Sequence, residues 1–189
     1  MQSLVKLFGS PARLKTLRLF VFNRGSAFTL GEVTQRTKLS KVVARRELTE
    51  LIASGLVRKK GKGASASYQT NPRFEHLEAL DAFIRDTTNV RPEHLIDRLR
   101  KTGTLRLVAL SGTFMNVLES QVDLLVVGDR LNERTLARIV RSLEAEFGRE
   151  IRYASFATEA FRYRYGVYDR LLRDIFDYPH RLLIDKIGL

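Results

Sequence analysis

A mixed α+β chain is what the sequence predicts, and three observations carry that expectation. Residues 10–55 hold three stretches of helical spacing, each behind a capping signal. Two strand-like runs around a basic, Gly-rich turn follow them. Further on, apolar runs such as LRLVAL (105–110) alternate with helical patterns. A length of 189 residues suits one large domain or two small ones. Three parts are expected: a basic module over residues 1–71, a helical connector over 72–102, and a small α/β domain over 103–189.

Ser10-Pro11 opens the first helix, because Ser caps free amides and Pro at the first helical position loses no bond. Leu14, Leu17, Phe20 and Val21 keep helical spacing up to Asn23-Arg24-Gly25. Thr29 and Glu32 stand at capping-box spacing and start a short helix to about Arg36. Ser40 caps a third helix, SKVVARRELTELIASG, whose Ala44, Leu48, Leu51 and Ile52 form one apolar face before Gly55 stops it. The segment LVRKKGKGASASYQT then reads as a hairpin carrying Arg58, Lys59, Lys60 and Lys62.

Charge is uneven along the chain. Residues 1–72 hold 14 Lys and Arg against 3 Asp and Glu, which is 11 of the 12 excess positive charges. The remainder holds 19 against 18. A compact basic module on a near-neutral body is the electrostatic footprint of a nucleic-acid binder; a solvated face kept for solubility is the alternative. The outer face of the third helix offers Lys41, Val42, Arg45, Arg46 and Thr49 beside the Ser40 cap. Arg pairs with guanine edges, apolar groups touch thymine methyls, and Lys holds phosphate. The hairpin cations suit the phosphate backbone beside a groove.

This order of helix, helix-turn-helix and basic hairpin resembles the winged-helix family of DNA-binding domains over about residues 8–71. The resemblance implies double-stranded DNA as partner, with the third helix in the major groove. A winged helix used only for protein contacts is the alternative, which four cations on the hairpin argue against.

In the connector, Asn71-Pro72 repeats the cap-then-proline signal before FEHLEALDAFIRD, and Thr87-Thr88-Asn89 breaks that helix. Pro92 starts PEHLIDRLRKTG. His76 and His94 have no second ligand at metal spacing and read as surface or packing residues.

Strands are expected at Leu105–Leu110, Val122–Val127, Ile151–Phe156 and Leu182–Ile184, with a helix from Leu131 to Phe147 and helical signals again from Thr158. The loop Ser111–Glu119 separates the first two strands. This third part resembles the small nucleotidyltransferase domain of the DNA polymerase β superfamily over about residues 103–187. In that family a Gly-Ser turn lets backbone amides approach a triphosphate, and Ser-Asp-x-Asp places two metal-binding carboxylates. Phosphoryl transfer needs them because metal ions neutralise charge on the reacting oxygens. Here the turn reads Ser111-Gly112, and the motif reads Ser120-Gln121-Val122-Asp123. Gln121 replaces the first carboxylate, and Asp123 alone matches. Arg152 and Tyr153 stand where a third carboxylate would come, and the loop Thr113-Phe114-Met115-Asn116 is bulky for a phosphate cradle.

The expectation is a vestigial nucleotide pocket of Ser111, Gly112, Gln121 and Asp123, with no catalytic residue, metal or cofactor. Asp123 is expected to cap a nearby helix or loop. The rival reading is an active metal-dependent nucleotidyltransferase with the basic module as substrate reader. The tail supplies Tyr153, Tyr163, Tyr165, Tyr168 and Tyr178 with Arg162, Arg164, Arg170, Arg173 and Arg181. Such a set makes a dimer surface, a ligand pocket, or plain core with arginines paired to Asp169, Asp174 and Asp177. His180 has no acid partner or nucleophile at a recognisable spacing.

The whole arrangement resembles prokaryotic proteins described as transcriptional regulators, and this implies sequence-specific DNA binding. A homodimer and a nucleotide or other small-molecule effector are left open as further partners. The absence of Cys and of any apolar run near the roughly 20 residues of a membrane helix points to the cytoplasm and away from a membrane partner. The start, broken by Gly9 and Pro11, does not read as a secretory signal.

Overall fold

The structure is a computed structural model that describes residues 2–88, 91–115, 117 and 120–189. Asn89, Asn116 and Glu119 of the sequence reading lie outside the described residues. The chain divides into two units, Met1–Asn89 with Ser142–Glu150, and Val90–Arg141 with Ile151–Leu189. Both mix helix and strand, so the α+β class holds. Among the described residues no helix is long and apolar enough to cross a membrane.

The first unit begins with α1 (Gln2–Phe8), α2 (Pro11–Phe22), β1 (Ala27–Thr29), α3 (Leu30–Thr37) and α4 (Lys41–Ala53). Next come β2 (Val57–Lys60), β3 (Ser67–Thr70) and α5 (Leu77–Thr87). The three helix starts from Ser10 to Ser40 are capped as expected. Ser10 Oγ accepts from the Arg13 amide at 2.9 Å, and Ser40 Oγ from the Val43 amide at 3.3 Å. Thr29 and Glu32 form the full capping box. In α2, Thr16–Val21 are all buried, so this helix is surrounded rather than amphipathic. Leu17, Phe20, Val33, Leu48, Val57 and Ile84 belong to its core, where the Phe20 and Phe28 rings meet edge-on at 5.8 Å.

The strands form an antiparallel sheet in the order β1-β3-β2. Sequence reading missed α1 and the three-residue β1. It also started the connector helix too early. Asn71-Pro72 does not cap α5: the Asn71 side chain donates to the Gly55 carbonyl at 2.8 Å and accepts from the Arg73 amide at 3.1 Å. An Asx turn uses the same residue types as an N-cap, and here the turn wins.

The second unit holds α6 (Pro92–Leu99), a 3-10 turn over Arg100–Thr102, β4 (Thr104–Leu110), a 3-10 turn over Gly112–Met115, and β5 (Leu124–Asp129). Then follow α7 (Glu133–Phe147), β6 (Tyr153–Phe156), α8 (Thr158–Gly166), α9 (Arg170–Phe176) and β7 (Arg181–Asp185). The sheet order is β6-β5-β4-β7, with β5 and β6 parallel and the other pairs antiparallel. The two central strands are buried along Leu107–Leu110 and Leu124–Val127, hence their near-continuous apolar runs. Leu107, Ala109, Leu125 and Val127 share one cluster with Phe161, Leu172 and Ile175 of α8 and α9. Observed β5 and β6 start two residues later than the expected strands, because Asp123 and Leu124 both donate their amides to the single Arg152 carbonyl.

The last turn of α7, from Ser142, belongs to the first unit. Arg18 Nη1 caps the helix end by donating to the Glu146 carbonyl at 2.8 Å, and Asn23 Nδ2 donates to the Gly148 carbonyl at 2.7 Å. Gly148 has φ +75°, and a Cβ there would stand 2.5 Å from the Arg18 carbonyl carbon and 2.6 Å from the Leu19 amide. Both are backbone atoms of a buried helix and cannot yield cheaply. Gly148→Ala is therefore expected to cost about 2–3 kcal/mol, from crowding and a left-handed backbone together. Its urea unfolding midpoint should fall clearly; an unchanged midpoint would contradict this packing.

Candidate functional site

Helix α4 exposes Ser40, Lys41, Val42, Arg45, Arg46 and Thr49 while burying Ala44, Leu48 and Leu51. Its roll is fixed by Glu47, whose side chain is only 1% exposed. Arg13 Nε reaches this carboxylate at 3.0 Å, Arg46 Nη2 at 2.9 Å, and the Ser10 hydroxyl donates at 3.3 Å. Burial pushes the Glu47 carboxyl up, but the hydrogen bonds and charges of Arg46 and Arg13 together hold it below the usual range. The start of α2 is thereby tied to the middle of α4.

On the other side of α4 lies an open groove of about 840 Å³. The helix contributes Lys41, Arg45 and Thr49, the hairpin contributes Lys59 and Tyr68, and Thr29, Leu30 and Gly31 line it from the start of α3. Among the described residues no carboxylate lines this groove, although Glu32 accepts from the hydroxyl of lining Thr29 at 2.8 Å. The hairpin register explains the hairpin's share. Lys59 pairs with Tyr68 across β2 and β3, so both side chains stand on one face. Arg58 and Lys60 alternate to the opposite face and, like Lys62 in the turn, are exposed.

The sequence-predicted cations thus separate into groups. Lys41, Arg45 and Lys59 converge on the groove with Thr49. Arg46 is 64% exposed but held by Glu47. Tyr68 and the place of Thr29, Leu30 and Gly31 in the groove were missed. Tyr68 is legible only once the β2–β3 register is known, whereas the Thr29 capping box was already an indication that α3 begins nearby.

The second candidate lies around Asp123, which is fully buried. Four donors converge on its carboxylate. Oδ1 accepts from the Thr113 amide at 2.7 Å and Arg152 Nη2 at 2.9 Å. Oδ2 accepts from the Arg152 amide at 2.8 Å and Arg152 Nε at 3.1 Å. Burial raises the carboxyl's pKa, yet the Arg152 and Thr113 hydrogen bonds and the Arg152 charge leave it below the ordinary range. The expected loop cap is present through Thr113; the bidentate Arg152 partner was missed. Gly112, at φ +50°, passes so close that a Cβ would clash with the Asp123 carboxylate.

Ser111 lies beside this pair, its hydroxyl 3.2 Å from that of Ser120. The Gln121 backbone N–H donates to Asp174 Oδ2 at 2.6 Å. Such an arrangement does not fit Mg²⁺, because both Asp123 oxygens are engaged and Gln121 is neutral. Among the described residues there is no group of three His, Cys, Asp or Glu suited to a metal ion.

In the tail, Arg164 pairs with Asp169 at 2.8 Å and Arg173 with Asp177 at 3.4 Å. His180 Nδ1 lies 2.9 Å from the Tyr178 carbonyl. In comparisons of sequence and fold, no family model, curated protein or solved structure matches the chain.

The Asp123–Arg152 pair carries a signed pH dependence. A carboxyl whose folded pKa is depressed stabilises the fold above its unfolded value, about 3.9, and loses that contribution as pH falls through the folded value. Asp123→Asn is expected to cost about 2 kcal/mol at neutral pH, less than a fully buried pair because Arg152 is 45% exposed. The stability gap between wild type and variant should close below about pH 4. A gap that stays constant with pH in denaturant titrations would refute the assignment.

Proposed function

We propose that this protein is a sequence-specific double-stranded DNA-binding transcriptional regulator. In this reading, residues 1–71 act as a winged helix and residues 103–189 as a nucleotidyltransferase-like domain without a metal site, used for ligand sensing or association. The observation that carries it is the groove between α4 and the hairpin, lined by Lys41, Arg45 and Lys59 and by no carboxylate among the described residues. Helix α4 supplies Arg45 for base edges, with Val42 exposed for a thymine methyl. Lys41 and Lys59 supply charge for phosphates. Arg58, Lys60 and Lys62 extend that charge along the hairpin, and Ser40 brings the helix start to the same surface. Arg46 takes a positioning role, since its guanidinium is committed to Glu47.

The reading of the second half rests on the Asp123 geometry. An arginine standing on the carboxylate supplies the positive charge that a nucleotidyltransferase would take from its metal. It supports a structural use of the Ser111, Gly112, Gln121 and Asp123 region in preference to catalysis.

Sequences selected by the purified protein from random duplex DNA would define an operator. On that operator, Lys59→Ala should lower the slope of log affinity against log salt by about 0.9 while weakening all sequences alike. Arg45→Ala should cost about 1–3 kcal/mol and relax preference at one base position. Recovery of no consensus, together with salt slopes unchanged in both variants, would overturn DNA reading by this groove.

A further inference from the structure

We infer that the outer surface of α8 and the turn after it is a self-association site, occupied by the same surface of a second copy of this chain. The inference does not depend on the DNA reading. Helix α8 buries only Phe161 in the core, yet its C-terminal half is densely aromatic. Tyr163 is 73% exposed, Val167 56% and Tyr168 79%. Large apolar groups in one contiguous exposed patch mark an interaction surface.

Tyr168 adds a second, independent observation. Its backbone has φ +54°. A bulky residue in the left-handed region is uncommon, and Gly or Asn would hold that turn with less strain. The turn nonetheless presents a phenol ring to solvent. Beside it opens a recess of about 260 Å³ lined by Tyr165, Tyr168, Leu172 and Phe176, with Asp169 and Arg173 at its edge. That volume falls below the usual range for a small-molecule site and suits one inserted side chain.

The charges choose the occupant. At this surface Arg164 pairs with Asp169 at 2.8 Å and Arg173 with Asp177 at 3.4 Å, so both signs stand side by side on it. Arginines already paired with carboxylates are poor magnets for a phosphate backbone and do not repel a second copy. Mixed signs on one patch make it complementary to itself, which is how a two-fold contact is built. The composition agrees. No Lys occurs between Lys101 and Lys186, so every basic residue of this stretch is Arg or His. Tyr and Arg are enriched, and Lys depleted, where proteins meet.

Sedimentation equilibrium without DNA tests this, on the full chain and on a Tyr163→Ser/Tyr168→Ser variant. Both side chains are largely solvent-exposed, and unchanged circular dichroism and unfolding midpoint would verify folding. The wild type should reach twice the monomer mass at micromolar concentrations, and the variant's dissociation constant should rise about tenfold or more. Because the chain has no Cys, a Tyr163→Cys variant gives an independent readout. It should form a bismaleimide-linked dimer, whereas Leu7→Cys, exposed in the first unit, should not. A monomeric wild type, or a dimer indifferent to the double substitution, would overturn the inference. So would association that appears only when single-stranded oligonucleotide is added, which would assign the patch to nucleic acid.

Discussion

A carboxylate removed from water must find a cation and N–H donors, and each unit of this chain is organised around one such group. An isolated buried carboxylate would protonate or unfold its surroundings, because its desolvation far exceeds any single hydrogen bond. Glu47 meets the requirement with Arg13 and Arg46, and Asp123 with Arg152 and two backbone amides. The geometric consequences differ. Glu47 joins two helices and sets which face of α4 looks outward. Asp123 joins the start of β5, the start of β6 and the Gly112–Met115 turn.

This constraint decides which cations remain available for a partner. Arg45 and Arg46 are neighbours of the same type, but only Arg46 lies within reach of Glu47, and Arg45 is left facing the groove. The same logic acts in the tail, where Asp169 and Asp177 engage Arg164 and Arg173. Counting basic residues along the sequence therefore overstates the surface charge offered for binding. The groove cations matter because none of them is held by a carboxylate in the groove lining, although Glu32 accepts from the hydroxyl of lining Thr29 at 2.8 Å.

Local signals were legible in the sequence; pairings across distance were not. Ser10, Thr29 and Ser40 foretold three helix starts, since capping depends on residues three apart. Apolar runs foretold β4 and β5. Asn71-Pro72 misled because a turn and a cap use the same chemistry. At three residues, β1 carries too little pattern to detect. At the sites, charge clustering identified Lys41, Arg45 and Lys59, but Tyr68 required the strand register. Arg152 stands 29 residues from Asp123, and only the parallel pairing of β5 with β6 brings them together. That Gln121 brings no carboxylate was visible; that Arg152 pairs with Asp123 was not.

On the readings proposed above, two kinds of surface answer two different physical tasks. Ground lined by unpaired lysine and arginine acts at a distance, gathers a polyanion and loses strength with salt. Tyrosine and arginine with balanced acids act only at contact, where rigid rings fill recesses and planar guanidiniums keep their charge at little hydration cost. An N-terminal module with 11 excess charges would repel its own copy if it had to supply the contact itself. Placing self-association on a stretch where Arg164 meets Asp169 and Arg173 meets Asp177 separates the two demands, so neither charge pattern compromises the other. The left-handed backbone at Tyr168 closes α8, with the Asp169 amide donating to the Arg164 carbonyl at 3.0 Å, and a tyrosine rather than a glycine there sets an exposed ring on the proposed contact surface.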